Sequence, residues 1–573
     1  MFALRSLIVL CLFVPFSISF AHAATDFVPR EWNDFPVRIE IEDETQLQRL
    51  EQLLPGRGRG DHDHVRDGRI DVRVTDAEFR RLREAGFAPE RIEDVARAAR
   101  TAVEREWAAL DTARGLGDFT WPLTTYPTHA EVGAILEDLQ ALRPDIALRY
   151  PYGTSVDGRQ LWGLVIGDFP DSNEVEPEVR LASGIHGDET VQMVNLLNFA
   201  HELVTGYETA GDARIDAIVE GIELHVQPLF NPDGYVRGIR RNANNVDLNR
   251  NFPEPAGQHS TQQPETLAFM QHALSKHFVV SLMGHGGALV VNYPWDYTYT
   301  RAPDDAALIQ LSLEYSQHNL PMYNGFFSQG ITNGADWYVA TGTLQDWVYD
   351  QTGCLDVTLE VSNTKWPSSS TLTSYWNDNR ESLYAYVEAV WAGIHGVVTD
   401  ANTGAPLDAV ITVSGIDEPV MTDPATGDWY KLVDTGRHAV TVDAVGYVPQ
   451  TFFSVFSPWG TATAVDAQLV PEATDTPSAL ARAPRIERVA PNPFNPRTRI
   501  DFSLPVAGAV SLDVLDARGR RVRTLVDGDL AAGTHEITWD GRDATGSGVG
   551  SGVYFVRLRA DGVTRSARIT LVP

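Results

Sequence analysis

The sequence predicts an α/β domain, preceded by a small α+β segment and followed by two all-β sandwiches. Three observations predict it. Between Asp118 and Ala392, apolar runs such as RLASGI, ELHVQPLF, FVVSLMG and LDVTLEV alternate with helix-period segments. From Gly393 onward the helical patterns stop, and alternating β segments separated by turns take over. Upstream of Gly117, short strand-like and helix-like pieces alternate. A chain of 573 residues is too long for one core, so three or more domains are expected.

In chain order, residues 1–23 read as a secretory signal. Arg5 precedes an apolar run from Leu7 to Phe20, and Ala21-His22-Ala23 supplies an A-x-A cleavage site. The run is too short and wrongly flanked for a stable span, and no other stretch approaches spanning length. Cleavage would remove Cys11 and leave Cys354 as the one thiol, so an internal disulfide is not expected and Cys354 is read as buried. Residues 24–117 carry strand patterns at Phe35–Glu42 and Gly68–Thr75 and helix patterns at Glu44–Leu54 and Asp76–Phe87, the second capped by Asp76. A charged helical tract from Arg91 to Arg114 leads onward. His62 and His64, in the loop Pro55–His64, invite a metal reading, but loop decoration is the better one. Residues 118–392 form the α/β domain and 393–470 a small sandwich with turns at ANTGAP and DPATGD. A Pro-, Thr-, Ala- and Ser-rich linker at 471–485 precedes a last all-β block at 486–573.

The formal charge is −31, and Lys276, Lys365 and Lys431 are the only lysines. So acidic a surface argues against nucleic acid and anionic membranes as partners and would attract basic molecules from a distance. Solubility in a salty or harsh medium explains the same charge equally well.

Chemistry concentrates in a few segments. LASGIHGDETVQMVNLL places His186 and Glu189 three residues apart where a strand pattern becomes a helix pattern, and HGGALVVNYPWD adds His285. Two imidazoles and one carboxylate make a three-ligand catalytic zinc site with a fourth position for water. His-x-x-Glu alone is weak, since fifteen histidines yield about one such pair by chance. Placement strengthens it, because a strand end feeding a helix start presents side chains into the crevice at the carboxyl end of a sheet. Competing schemes are absent: there is no Gly-x-Ser-x-Gly elbow, no Cys-x-x-Cys, and no lysine following a glycine as a phosphate loop requires. The polar segment Asn231–Phe252 reads either as a solvated loop or as an anion-binding cluster in which Arg forks grip a carboxylate.

HGDE, NPDGY, NANNVDLNRNF, QPET, HGGALVVNYPWD, GITNGADWY, LQDW and VTLEVS stand in the order and spacing of the zinc carboxypeptidases. From Thr125 to Val470 the chain resembles the branch containing carboxypeptidases N, E and D, which remove C-terminal Arg or Lys and carry a transthyretin-like sandwich after a mixed-sheet catalytic domain. The resemblance implies one Zn2+, with His186, Glu189 and His285 as its ligands and Glu360 as the general base for the attacking water. It makes Asn249 and Arg250 the pair that binds the terminal carboxylate, and Arg240, rather than Arg241, the oxyanion-stabilising arginine. Tyr338 matches the mobile tyrosine that closes over substrate. Asp247 matches a residue that orients a ligating imidazole, an ordinary loop aspartate being the alternative. Asp296 and Gln345 match the positions that select basic side chains.

Asn245 replaces the usual glycine of the NANGVD pattern, TGTLQD replaces SGGMQD, and no cysteine stands near Asn363–Thr364 to pair with Cys354. The α+β segment resembles the pro-segments of some bacterial zinc carboxypeptidases, which implies a zymogen whose cleft is blocked until cleavage. PNPFNP, LDARGRRVR, WDGRD and GVYFVRL resemble Ig-like modules of flagellar hook-capping and type IX-sorted proteins, implying export sorting or cell-surface attachment, with a passive structural sandwich as the alternative. The expected product is thus a secreted peptidase acting on basic C-termini of peptides or proteins. Its rivals are another zinc amide hydrolase on the same scaffold, for cell-wall peptides or N-acyl amino acids, and an inactive surface binding protein.

Overall fold

The computed structural model describes residues 34–41, 43–54, 68–109, 114–209, 211–254, 261–472, 484–490, 494–516, 520–560 and 563–571. The signal-like segment, the loop with His62 and His64, and most of the linker lie outside them.

Strands Asp34–Glu40, Arg69–Thr75 and Glu90–Arg91 form an antiparallel sheet with Asp34–Glu40 in the middle. Their apolar face (Val37, Ile39, Ile70, Val72, Val74) packs with Leu50 and Leu82 from helices Glu44–Leu53 and Asp76–Glu84 into a separate small core. The second helix is capped by Thr75, not Asp76. The Thr75 hydroxyl accepts the Glu78 N–H at 3.3 Å, and the Glu78 carboxylate accepts the Thr75 N–H at 2.7 Å. Thr75 has the extended backbone a cap requires, whereas Asp76 already lies in the first turn, where its charge favours the helix dipole. Among the described residues of the charged tract beyond, Val95–Ala108 form a helix.

The α/β domain is built on an eight-stranded mixed sheet. Across it run Ile331–Asn333, Leu289–Tyr293, Leu355–Val361, Phe278–His285, Glu178–Ser183, Glu223–Gln227, Gln160–Ile166 and Ala147–Thr154. Leu355–Val361, Phe278–His285, Glu178–Ser183 and Glu223–Gln227 are mutually parallel, so their carboxyl ends emerge at one edge. The period of two sorts their side chains. Leu355, Val357, Leu359 and Val361 enter the main core with helices Val191–Gly206 and Leu372–Glu388, while Asp356, Thr358 and Glu360 point to the other face. On that face Phe230, Phe252, Phe269, Met270 and Trp347 form a second core, which includes Cys354. Cys354 is a free, buried thiol whose pKa burial pushes up to about 12.

The helical region ends at Trp391, and Gly393–Asp400 starts a sandwich of two four-stranded sheets. It is fastened to the α/β domain by Lys431, whose ammonium meets Asp304 Oδ2 at 2.7 Å with both side chains almost fully buried. Tyr349 donates to the same Asp304 oxygen at 2.8 Å. A three-stranded and a four-stranded sheet make the final module, around Phe502, Leu512, Val514, Trp539 and Val556. Among the described residues no helix is long and apolar enough to cross a membrane.

Removing one member of a buried ion pair strands the other charge, at a cost of about 3–5 kcal/mol. Lys431→Met is therefore expected to lower the unfolding midpoint of the α/β domain in denaturant. Lys431→Met combined with Asp304→Asn is expected to lose less than the single change.

Candidate active site

Three neighbouring strand ends assemble the site. Glu178–Ser183 runs into the loop carrying His186 and Glu189 before the helix Val191–Gly206. His285 is the last residue of its strand, and Glu360 stands beside it in parallel register. Gly187 is required here by close approach: a Cβ at this position would overlap the backbone of Gly234 and Tyr235.

His186 Nδ1 and His285 Nδ1 each lie 2.8 Å from Glu189 Oε2 and 3.1 Å from one another. Around a tetrahedral zinc with bonds of 2.0–2.1 Å, ligand atoms are separated by about 3.3 Å. Three lone-pair donors packed this tightly, on side chains only 2–3% exposed, fit a metal ion at their centre. Two nitrogens and one oxygen suit zinc. Among the described residues His285 Nε2 has no hydrogen-bond partner, so its ring is committed to the cluster through Nδ1.

Positive charge surrounds the carboxylate. Glu189 Oε1 is 3.1 Å from Lys365 Nζ and 3.3 Å from Arg240 Nη1. Burial works to raise its pKa, yet His186 and Lys365 hold it well below the usual carboxylate range. Asp247 faces the other nitrogen of His186, Oδ1 to Nε2 at 3.1 Å, and its Oδ2 accepts from Arg240 Nε at 3.0 Å. Arg240 and His186 keep Asp247 well below the carboxylate range against the effect of burial. A hydrogen bond to the second nitrogen fixes the tautomer and orientation of a ligating imidazole, and Asp247 is placed to supply it for His186.

His186, Arg240, Asn249, Arg250, His285, Asn292, Asp296, Trp337, Tyr338, Thr343, Thr358 and Glu360 line one pocket. Its arginine loop is held by side chains. Asn231 Nδ2 donates at 3.2 Å to both Ile185 O and Arg240 O, joining the two loops. Asn245 has φ +60, the left-handed geometry asparagine tolerates. Asn249 Oδ1 accepts from Leu344 N at 2.9 Å, and Arg250 Nη1 donates to Asn249 O at 2.7 Å. The Arg250 guanidinium lies 6.0 Å from the Tyr338 ring centroid.

Away from the histidine cluster, Asp296 is 5% exposed. Gln345 Nε2 and Asn292 Nδ2 donate to its Oδ1 at 2.8 and 3.1 Å, and Gln345 Oε1 accepts from Thr358 N at 2.8 Å. Gln345 therefore holds the carboxylate in place rather than lining the pocket itself. Gly334 backbone packs against Asp296, where any Cβ would overlap the carboxylate. Burial raises the Asp296 pKa, only partly offset by Thr343, Asn292, Arg250 and Gln345.

His186, Arg240, Asn249, Arg250, His285, Asp296, Tyr338 and Glu360 thus line one cleft, while Glu189, Asp247 and Gln345 bond to its lining residues from behind. Lys365, Asn292 and Asn231 also support the site, beyond the residues that the motifs assign. The scarcity of lysine was the only sign of Lys365, and Asn292 stands four residues before Asp296 within a segment already singled out.

Comparison with known proteins matches residues 132–382 to the zinc carboxypeptidase family model, and residues 497–562 to the FlgD Ig-like domain. Human carboxypeptidase D is 39% identical over 336 residues, covering 54% of this chain but 24% of its own. The chain therefore spans about a quarter of that relative. The rat carboxypeptidase N catalytic chain is 35% identical over 376 residues, covering 57% of this chain and 82% of its own. Among solved structures, thrombin activatable fibrinolysis inhibitor superposes with a TM-score of 0.52 at 15% identity, covering 62% of this chain and 98% of its own. That likeness concerns the fold alone. By sequence and by fold, this chain belongs to the zinc carboxypeptidase family.

Proposed function

We propose that the chain is a secreted zinc carboxypeptidase that removes C-terminal Arg or Lys from peptides and proteins. The observation that carries this reading is Asp296: a buried carboxylate lining the same pocket as the histidine cluster, Asn249 and Arg250. His186, Glu189 and His285 would hold the zinc, which when bound polarises the scissile carbonyl and the attacking water. Glu360 takes a proton from that water and returns it to the departing amine nitrogen. Arg240 donates to the oxygen on which negative charge develops. Asn249 and Arg250 bind the free terminal carboxylate, Arg250 through its planar fork, which limits attack to the last peptide bond. Tyr338, over Arg250, closes the mouth of the pocket and keeps bulk water from the reacting carbonyl. Asp247 fixes the tautomer of His186.

Specificity follows from the cost of an unpaired charge. An incoming guanidinium or ammonium pairs with Asp296, whereas an aromatic side chain would leave it buried alone, at about 3–5 kcal/mol. One more apolar contact returns only about 1–3 kcal/mol, so basic ends win. Residues 1–23 support export, and the Ig-like module supports sorting or surface attachment.

The test is a set of peptides ending in Arg, Lys, Phe or Asp, followed by mass spectrometry with and without a zinc chelator. Chelator-sensitive loss of single Arg or Lys residues is expected. Cleavage inside the peptides, or release of N-acyl groups, would refute the proposal. Glu360→Gln is expected to keep its zinc, measured by atomic absorption, while kcat falls about 10²–10⁴-fold.

Asp296→Ala is expected to lower kcat/KM for Arg-ended peptides about a hundredfold while sparing Phe-ended ones. A pH series probes the same carboxyl. Its pKa is raised, so as pH falls through that value Asp296 becomes neutral and a cationic side chain loses its partner. KM for basic ends should therefore rise on acidification, and this extra rise should be missing for Phe-ended peptides and in Asp296→Ala.

A further inference from the structure

The helix Val95–Ala108 belongs by sequence to the segment that precedes the α/β domain, yet its inner face is built into that domain. Arg100 is 1% exposed and Trp107 fully buried. Val103 and Trp107 lie in the main core with Leu123, Tyr126 and Trp366. Trp107 Nε1 donates to Tyr126 O at 2.8 Å, and its ring lies 5.4 Å from Tyr235 and 6.3 Å from Trp366.

Arg100 makes the deeper connection. Its Nη1 and Nη2 donate to Tyr235 O and Val236 O at 3.3 and 2.8 Å. These carbonyls lie in the last turn of the helix Pro232–Arg237, where the dipole is negative, and Tyr235 O also accepts from Gly238 N at 3.0 Å. Glu104 accepts from Arg100 Nε at 2.9 Å, and the guanidinium stacks over Trp366 at 4.5 Å. Gly238 follows with φ +62, and its lack of a side chain leaves room for Arg100, since a Cβ would lie 3.0 Å from Nε.

Both neighbours of Arg100 lead to the histidine cluster. The end of the Pro232–Arg237 helix continues through Gly238 to Arg240, whose carbonyl accepts from Gly187 N at 3.2 Å and whose side chain reaches Glu189. Trp366, stacked on Tyr235 at 5.2 Å, follows Lys365, which pairs with Glu189 and accepts from Thr190 N through its carbonyl at 3.1 Å.

We propose that the helix Val95–Ala108 is a permanent wall of the catalytic unit, and that Arg100 is a positioning residue holding the loops of Arg240 and Lys365 against Glu189. Processing that frees the N-terminal α+β sheet then cuts upstream of Val95 and leaves the helix in place. This deepens the reading of His186, Glu189 and His285 as a zinc site and rests on it.

The test uses the full chain. Zinc affinity is measured by competition with a chelator of known strength, alongside thermal unfolding of the zinc-free protein. Arg100→Met keeps the apolar stem but removes the donors, and should raise the zinc dissociation constant about tenfold, as loss of an outer-shell support does. Arg100→Lys, which keeps one charged donor group, should recover part of that loss. Glu104→Gln, which leaves the bonds to Tyr235 and Val236 intact, should change it little. An unchanged zinc constant in Arg100→Met, with only a lower melting temperature, would overturn the positioning role while leaving the zinc reading intact. Wild-type protein that takes up no zinc would overturn both. Separately, the full chain is given a specific protease site just after Ala109 and treated with that protease, and the products are separated by size. The helix is expected to co-elute with the catalytic part; its dissociation from a cleaved chain would refute permanence.

Discussion

The site depends on neutralising one buried carboxylate. Glu189 is 3% exposed, and an isolated charge at that depth would cost several kcal/mol. Two imidazoles face one of its oxygens, while Arg240 and Lys365 face the other. None of these partners is local except His186. They arrive from a strand end, from the loop after the Pro232–Arg237 helix, and from the segment beyond Glu360. Those elements must be held firmly, which explains the density of side-chain bonds to backbone around them, from Asn231, Asn249 and Arg100.

The same logic runs through the scarce lysines. Lys365 pairs with Glu189, Lys431 with Asp304, and Lys276 with Glu178 and Glu223. In a chain of net charge −31, each lysine compensates a carboxylate that is less than a tenth exposed, and the more numerous arginines carry most of the exposed pairs. Lys431 also crosses a domain boundary. A compact ammonium suits a single buried oxygen; the planar arginine fork suits two acceptors, as where Arg100 spans two carbonyls.

Legibility followed the range of each interaction. The strands of the α/β domain could be read because their apolar runs are continuous, being buried on both faces. The switch to β structure near Gly393 was visible because periodicity is local. The cap at Thr75 was missed because Asp76 has the same preference, and only backbone geometry decides between adjacent candidates. Lys365 and Asn292 were missed because their meaning lies in what they touch. Arg100 was hidden for the same reason. Within a run of arginines it reads as solvated charge, and burial against Trp366 is not written in its neighbours.

By itself the sequence determined the family and the chemical inventory, since ordered motifs with fixed spacing identify residue types and their succession along the chain. Tertiary structure decided which of these groups share a cleft. Parallel strands bring His186, His285 and Glu360 together from positions far apart in the chain, and the period of two turns Glu360 toward the pocket while its neighbours enter the core. It also decided that the helix Val95–Ala108 packs with the domain it precedes. That outcome depends on long-range burial of Arg100 and Trp107, which no local pattern records.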